Sequence, residues 1–213
     1  MNYLIQIDNA VFHWINSGWS NCILDFIMPF VTHLGDSYVV WLWIVFLCVI
    51  TAWQLLRLSK RDQTVTKPKI VKMVCFAMIY MALIFGLNAG ACSGLKHLFH
   101  RPRPFVQQDT IIRVSTSTAS ALVHNGSFPS GHACNAFMIA ALFAAIFRHK
   151  RYFFYIIATM IALSRVYLGV HYPVDVVVGG LLGFIITWLM IYLAKFGHVE
   201  SIDNLFQFQR FAS

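Results

Sequence analysis

Charge is what this chain has least of. Only 11% of its 213 residues are Asp, Glu, Lys or Arg, against about 25% in soluble domains, whose surfaces need a wetted shell. Acidic residues are scarcest, eight beside sixteen Lys and Arg. The five cysteines (Cys22, Cys48, Cys75, Cys92, Cys134) form no Cys-x-x-Cys pair, and there is no His-Glu-x-x-His. Neither a disulfide or zinc framework nor a metalloprotease helix is therefore written here. No cationic stretch precedes a clean apolar core, as it would in a cleaved leader. These absences exclude a disordered chain and a cytosolic enzyme, and they argue against a nucleic-acid partner despite the net charge of +8. What takes the place of charge is hydrocarbon: 59% of residues belong to the set AVILMFWYC, and mean hydropathy is +0.67. A bilayer is the solvent such a chain calls for.

Apolar runs at 38–56, 70–95, 133–147, 152–170 and 174–194 predict an all-α integral membrane bundle of five transmembrane helices. About 20 residues cross the hydrocarbon core, so the third run is short unless Ser130, Gly131 and His132 join its helix. Residues 1–36 mix Asp8, Asn9, His13, Asn16, Asn21, Asp25 and His33 with large apolar side chains, and Pro29 interrupts the pattern. They are expected to form an interfacial amphipathic segment, a sixth and poorly inserted span being the alternative. The division is then 1–36, a membrane domain over 37–196, and a short cytoplasmic tail at 197–213. Glycines four apart (Gly86, Gly90, Gly94, and again Gly179, Gly183) are expected to let helix backbones approach closely.

The cations fall into two groups. Eleven of the sixteen lie in the loops after the first and third runs and beyond the fifth, which makes that side cytoplasmic by the positive-inside rule. The other five, Lys96, Arg101, Arg103, Arg113 and Arg165, fall on the outer side and need their own explanation.

On that outer side three polar clusters coincide: Lys96 with Arg101-Pro102-Arg103-Pro104, then Pro129-Ser130-Gly131-His132, then Ser164-Arg165 with His171 and Asp175. Lys96, Arg103 and Arg165 suit a multiply charged phosphate. Ser130 and Gly131 open a helix, where free N–H groups favour an anion. Asp175, four residues beyond His171, is placed to hold one imidazole nitrogen protonated and leave the other free to attack; His132 is a second imidazole able to protonate a leaving oxygen. Chemistry alone does not decide which histidine attacks. Each piece also has a plain reading: isolated cations near helix ends snorkel to headgroups, Pro-Ser-Gly-His is an ordinary helix cap, and a lone His at a membrane edge is often merely solvated. Arg101 and Arg113 read as headgroup contacts. No metal-ligand set is apparent, and cationic neighbours oppose a divalent ion.

Taken together the clusters read Lys-x6-Arg-Pro (Lys96, Arg103, Pro104), Pro-Ser-Gly-His (129–132) and Ser-Arg-x5-His-x3-Asp (Ser164, Arg165, His171, Asp175). In that form the chain resembles the type 2 phosphatidic acid phosphatases (PAP2), which share a core with the vanadium haloperoxidases. All eleven specified positions match in order, and chance at roughly one in twenty per position does not produce that. The resemblance implies a PAP2/haloperoxidase-like helical core and a phosphoric monoester or diphosphate hydrolase working without metal or other cofactor. It implies His171 as the nucleophile, Asp175 orienting it, His132 as acid and then base, and Lys96, Arg103, Ser130, Gly131 and Arg165 as the phosphate pocket. The implied substrate is a lipid phosphate in the outer leaflet, with undecaprenyl pyrophosphate the leading candidate. Lipid A, phosphatidylglycerophosphate and phosphatidic acid phosphatases, or a lipid phosphotransferase, are the alternatives. Beyond membrane lipids no partner is expected, and oligomeric state is not legible. The compact size fits a bacterial inner (cytoplasmic) membrane with the site facing the periplasm or exterior, and residues 105–128 would form the specificity loop.

Overall fold

A computed structural model describes residues 2–60 and 66–196. Among them are nine α-helices, one 3-10 turn and no strand. The first two helices are α1 (Asn2–Asn16) and α2 (Cys22–His33), the latter started by Asn21, whose side chain accepts from the Ile23 and Leu24 N–H groups. Pro29 lies inside α2 rather than ending it. Next come α3 (Ser37–Ser59) and α4 (Lys67–Phe99). His100 closes α4 in the left-handed region at φ 43°, and Pro102 follows, so the helix cannot continue. Residues 105–128 are not an open loop: they contain most of the short α5 (Pro104–Gln107) and all of α6 (Thr116–Val123), the latter capped by Ser115. The chain then forms α7 (Gly131–Ile146), the 3-10 turn Arg148–Lys150, α8 (Arg151–Tyr167) and α9 (Pro173–Phe196). Ser130 is the N-cap of α7, so Gly131 and His132 do belong to that helix. The stretch 197–213, read above as a cytoplasmic tail, lies outside the described residues.

Three segments are long and apolar enough to cross a membrane: Ser37–Arg57, Lys67–Gln107 and Pro173–Ala194, each with a mean hydropathy of 2.3. Helices α7 and α8 have only 16 and 17 residues, about 25 Å of rise against a hydrocarbon core of about 30 Å. Helix α7 can be short because it does not meet lipid. Nearly all of it is buried, between α8 and α9 with α3 and α4 beside it. Met138 and Leu142 on α7 pack with Ile44 and Leu47 of α3, Ile84 of α4 and Ile191 of α9. Outward-pointing Leu42, Val49, Ile79, Leu83, Ile185 and Leu189 give the bundle an apolar coat. The N-terminal helices pack on this core, α2 against α8 and α1 against α8 and α9, burying Phe12, Ile15 and Met28.

The two glycine series behave differently. A Cβ on Gly86, Gly90 or Gly94 would meet nothing within 4 Å, so the expectation of a close helix contact there is not met: among the described residues no helix packs on that stripe of α4. On α9 it is met. A Cβ on Gly179 would sit 2.4 Å from the Ser130 carbonyl oxygen, and one on Gly183 would sit 2.1 Å from that of Cys134. Helices α7 and α9 therefore cross with their backbones touching. All five cysteines are free, Cys48, Cys92 and Cys134 being buried and Cys22 and Cys75 exposed.

Candidate active site

The crossing of α7 and α9 brings their N-termini together, and the last turns of α4 and α8 arrive at the same end. The Ser130 N–H donates to the Asp175 carbonyl at 2.9 Å, tying the second motif to the third. His171, 2% exposed, sits in the turn before α9. Its Nδ1 is 3.5 Å from Asp175 Oδ2, and on its other side Arg103 Nη1 lies 3.2 Å from Nε2. A guanidinium carries only donors, so that contact requires a lone pair on Nε2 and leaves the proton on Nδ1, facing the carboxylate. Burial, then the cations Arg103, Arg165 and Lys96, hold the His171 imidazolium well below its ordinary pKa. The neutral ring is the form this environment favours.

The three cations surround this ring from three elements. Arg103 is buried; its Nε donates to the carbonyls of Leu122 and Asn125, both at 3.0 Å, and its Nη1 also to that of Val170 at 2.9 Å. Lys96 Nζ donates to the Gly126 carbonyl at 2.7 Å. Arg165, 5% exposed, donates from Nη1 to Thr32 Oγ1 at 2.6 Å, while its Nε is buried with no partner among the described residues. A buried guanidinium N–H left unpaired is costly. Gly131 has only Cys92 Sγ within 4 Å of where a Cβ would stand, so the space beside it is open. The eight residues expected from sequence thus fall at one end of the bundle.

Four further residues enter that sequence reading did not place in the site. His132 Nε2 lies 2.7 Å from Asp36 Oδ1, in the corner between α2 and α3, and the other Asp36 oxygen is 2.8 Å from His33 Nδ1. Burial alone would raise the Asp36 carboxyl, but the hydrogen bonds from His132 and His33 outweigh it and hold the group well below the usual carboxylate range. Asp36 therefore stays ionised and leaves Nδ1 as the free nitrogen of His132. Thr32 holds Arg165, as above. Arg101 and Asp8 stand behind Asp175, the guanidinium donating to Asp175 Oδ1 at 2.8 Å and to Asp8 Oδ2 at 2.6 Å. No short motif could have found Asp36 or Asp8, which are 96 and 93 positions from their partners. Their one signal was that carboxylates are rare in this chain.

Two readings change. Arg101 is engaged inside the protein, and so is Arg113: it pairs with Asp25, donates to the carbonyls of Asn16 and Tyr167, and stacks on the Tyr167 ring. Neither is a free headgroup contact, because in a low-dielectric interior a guanidinium is held by carboxylates and carbonyls. Among the described residues there is no group of three or more His, Cys, Asp or Glu able to hold a metal ion.

At one end of an apolar helical bundle, then, a buried histidine stands between a carboxylate and a guanidinium, with two further cations near it. The model of the PAP2 superfamily matches residues 73–197, more than half of the chain, and the protein belongs to that superfamily. It is similar to the lipid A 4'-phosphatase of Bacteroides thetaiotaomicron, 38% identical over 123 residues that cover 57% of this chain and 55% of that protein. It is also similar to the undecaprenyl-diphosphatase of Sulfolobus acidocaldarius, 35% identical over 80 residues covering 37% of this chain and 39% of that one. The chain spans about half the length of the curated relatives it matches first. Among solved structures, it matches a transmembrane PAP2-type phosphatidylglycerolphosphate phosphatase from Bacillus subtilis with a TM-score of 0.66 and 26% identity. That match covers 92% of this chain and 88% of the other.

Proposed function

We propose that this protein is a membrane phosphatase that hydrolyses a lipid phosphate or pyrophosphate through a phosphohistidine. The observation that carries the proposal is His171, neutral and buried, with Nδ1 toward Asp175 and Nε2 toward the cations. In the first step Nε2 attacks phosphorus, the bond to the leaving oxygen breaks, and His132 gives that oxygen its proton. In the second, His132 takes a proton from water, whose oxygen attacks phosphorus and breaks the N–P bond, releasing inorganic phosphate. Lys96, Arg103 and Arg165 stabilise the charge that builds on the phosphoryl oxygens, and Ser130 and Gly131 present the N-terminus of α7 to it.

The reading places five spans in the bilayer, α7 among the longer helices and α8 on its outer side, with α1 and α2 as an interfacial pair. The cation distribution supports a site facing outward, toward the outer leaflet. Undecaprenyl pyrophosphate is the substrate we favour: a pyrophosphate brings more negative oxygen than a phosphomonoester, which three cations suit, and two relatives bear that activity in their names. The deciding experiment presents the purified protein with undecaprenyl pyrophosphate, phosphatidylglycerophosphate, phosphatidic acid and lipid A and measures inorganic phosphate. Release from none of the four would end the phosphatase reading. Faster turnover of another lipid would replace the favoured substrate.

Asp36 gives this mechanism a separate test. Its charge favours the protonated form of His132 against the influences that oppose it, so Asp36→Asn should lower kcat by roughly 10- to 100-fold and move the alkaline limb of the kcat profile to lower pH. An unchanged profile would remove Asp36 from the reaction.

A further inference from the structure

The N-terminal helix reaches the site through one side chain. Asp8 on α1 is 4% exposed and both of its oxygens are engaged. Oδ1 accepts from the Val174 N–H at 2.9 Å, near the start of α9, and Oδ2 accepts from Arg101 Nη2 at 2.6 Å. The other end of the same guanidinium donates from Nη1 to Asp175 Oδ1 at 2.8 Å, and its flat face lies 3.9 Å from the centre of the Tyr172 ring. Asp175 Oδ2 accepts from the Tyr172 N–H at 2.9 Å and also faces His171 Nδ1, at 3.5 Å, a distance longer than a formed hydrogen bond. Asp8, Arg101, Asp175 and His171 form one line from α1 into the bundle.

The physics of that line is orientation. A carboxylate gripped at one oxygen by a guanidinium and at the other by a backbone N–H has a fixed plane, and here the plane turns Oδ2 toward Nδ1. Whether Nδ1 carries the proton decides whether Nε2 has a lone pair. Arg103 favours the same tautomer from the other side by donating to Nε2, but neither it nor Lys96 nor Arg165 has an acceptor to take a hydrogen bond from the Nδ1 proton, and that falls to Asp175. Arg101 is fixed in its turn because each end of its fork meets a carboxylate. We infer that Asp8 and Arg101 are positioning residues: through Asp175 they keep the proton of His171 on Nδ1 and the lone pair on Nε2. On this inference α1 is part of the reaction's geometry and not only a membrane anchor.

The kinetic arm of the test rests on the phosphatase reading; the spectroscopic arm does not. Asp8→Asn keeps an oxygen for the Val174 N–H, hence the docking of α1, and removes the charge that grips Arg101. Its kcat should fall roughly tenfold to a hundredfold with KM within about twofold of wild type. In ¹⁵N spectra of histidine-labelled protein in detergent, His171 should pass from a single Nδ1–H tautomer to a mixture. Arg101→Lys should do the same, since an ammonium cannot bridge both carboxylates, and it decides the matter if Asp8→Asn does not accumulate as folded protein. A wild-type tautomer in the folded variant overturns the inference whatever happens to kcat. So does a raised KM at unchanged kcat, which would make Arg101 a substrate contact. If the tautomer shifts as expected while the wild-type protein releases phosphate from no lipid, the phosphatase reading fails and the positioning role stands.

Discussion

Replacing His171 by alanine is expected to reduce phosphate release by at least about 10,000-fold while the protein still accumulates and extracts as a single species. The expectation follows from where the ring stands. It is 2% exposed, and its Nε2 meets Arg103 within the circle of cations, where an alanine supplies no nitrogen to attack phosphorus. Labelled substrate separates the steps. Wild-type protein stopped mid-turnover should carry a phosphoryl group that survives base and is lost in acid, as an N–P bond is, and His171→Ala should carry none. Protein lacking the His132 imidazole should retain the label longer, because its second step has lost the base. Turnover at the normal rate in His171→Ala would end the nucleophile assignment.

The second large effect is expected far from any proton. Gly183→Val should prevent accumulation of folded protein, or lower its stability by ~3 kcal/mol or more. The reason is that the new Cβ falls 2.1 Å from the Cys134 carbonyl oxygen, a backbone atom that cannot turn aside. Gly90→Val is the matched control. It stands in a helix of the same membrane domain, but nothing lies within 4 Å of its Cβ position, so its effect should be within about 1 kcal/mol. Thermal unfolding in detergent, followed by size-exclusion recovery, reads both. Equal behaviour of the two variants would show that the α7–α9 contact does not hold the bundle together.

The glycine comparison also shows what the sequence could carry. Spacing of four made Gly86, Gly90 and Gly94 look the same as Gly179 and Gly183, because spacing marks a smooth stripe but not whether another helix lies on it. The helical class, the long spans and the coincidence of the three motifs at one end of the bundle were legible, since each depends on local composition or fixed spacing. Pro29 misled, as a proline is tolerated within α2 where the helix is short and packed on α8. Least legible were Asp36, Asp8 and Thr32, which join the site only because α1 and α2 fold back on α8 and α9. A run of 36 residues that looks merely amphipathic does not reveal that its stray polar groups have partners around a hundred positions away. Arg101 and Arg113 were misplaced for the same reason: their carboxylates come from that segment.

The site is graded in depth. His171 is 2% exposed, whereas the His132 side chain is a quarter exposed and that of its partner Asp36 about a fifth. If the attacking nitrogen is at the bottom and the proton donor at the opening, in-line displacement sends the departing group outward. Only the phosphoryl group then has to enter the protein, and the lipid stays in the bilayer whatever its bulk. Such a floor measures phosphorus and is indifferent to the molecule that carried it. Discrimination between a polyprenyl chain and a sugar-bearing lipid would rest with the rim, at the α2–α3 corner and residues 105–128, so exchanging that rim between relatives should move selectivity and leave the chemistry beneath it unchanged.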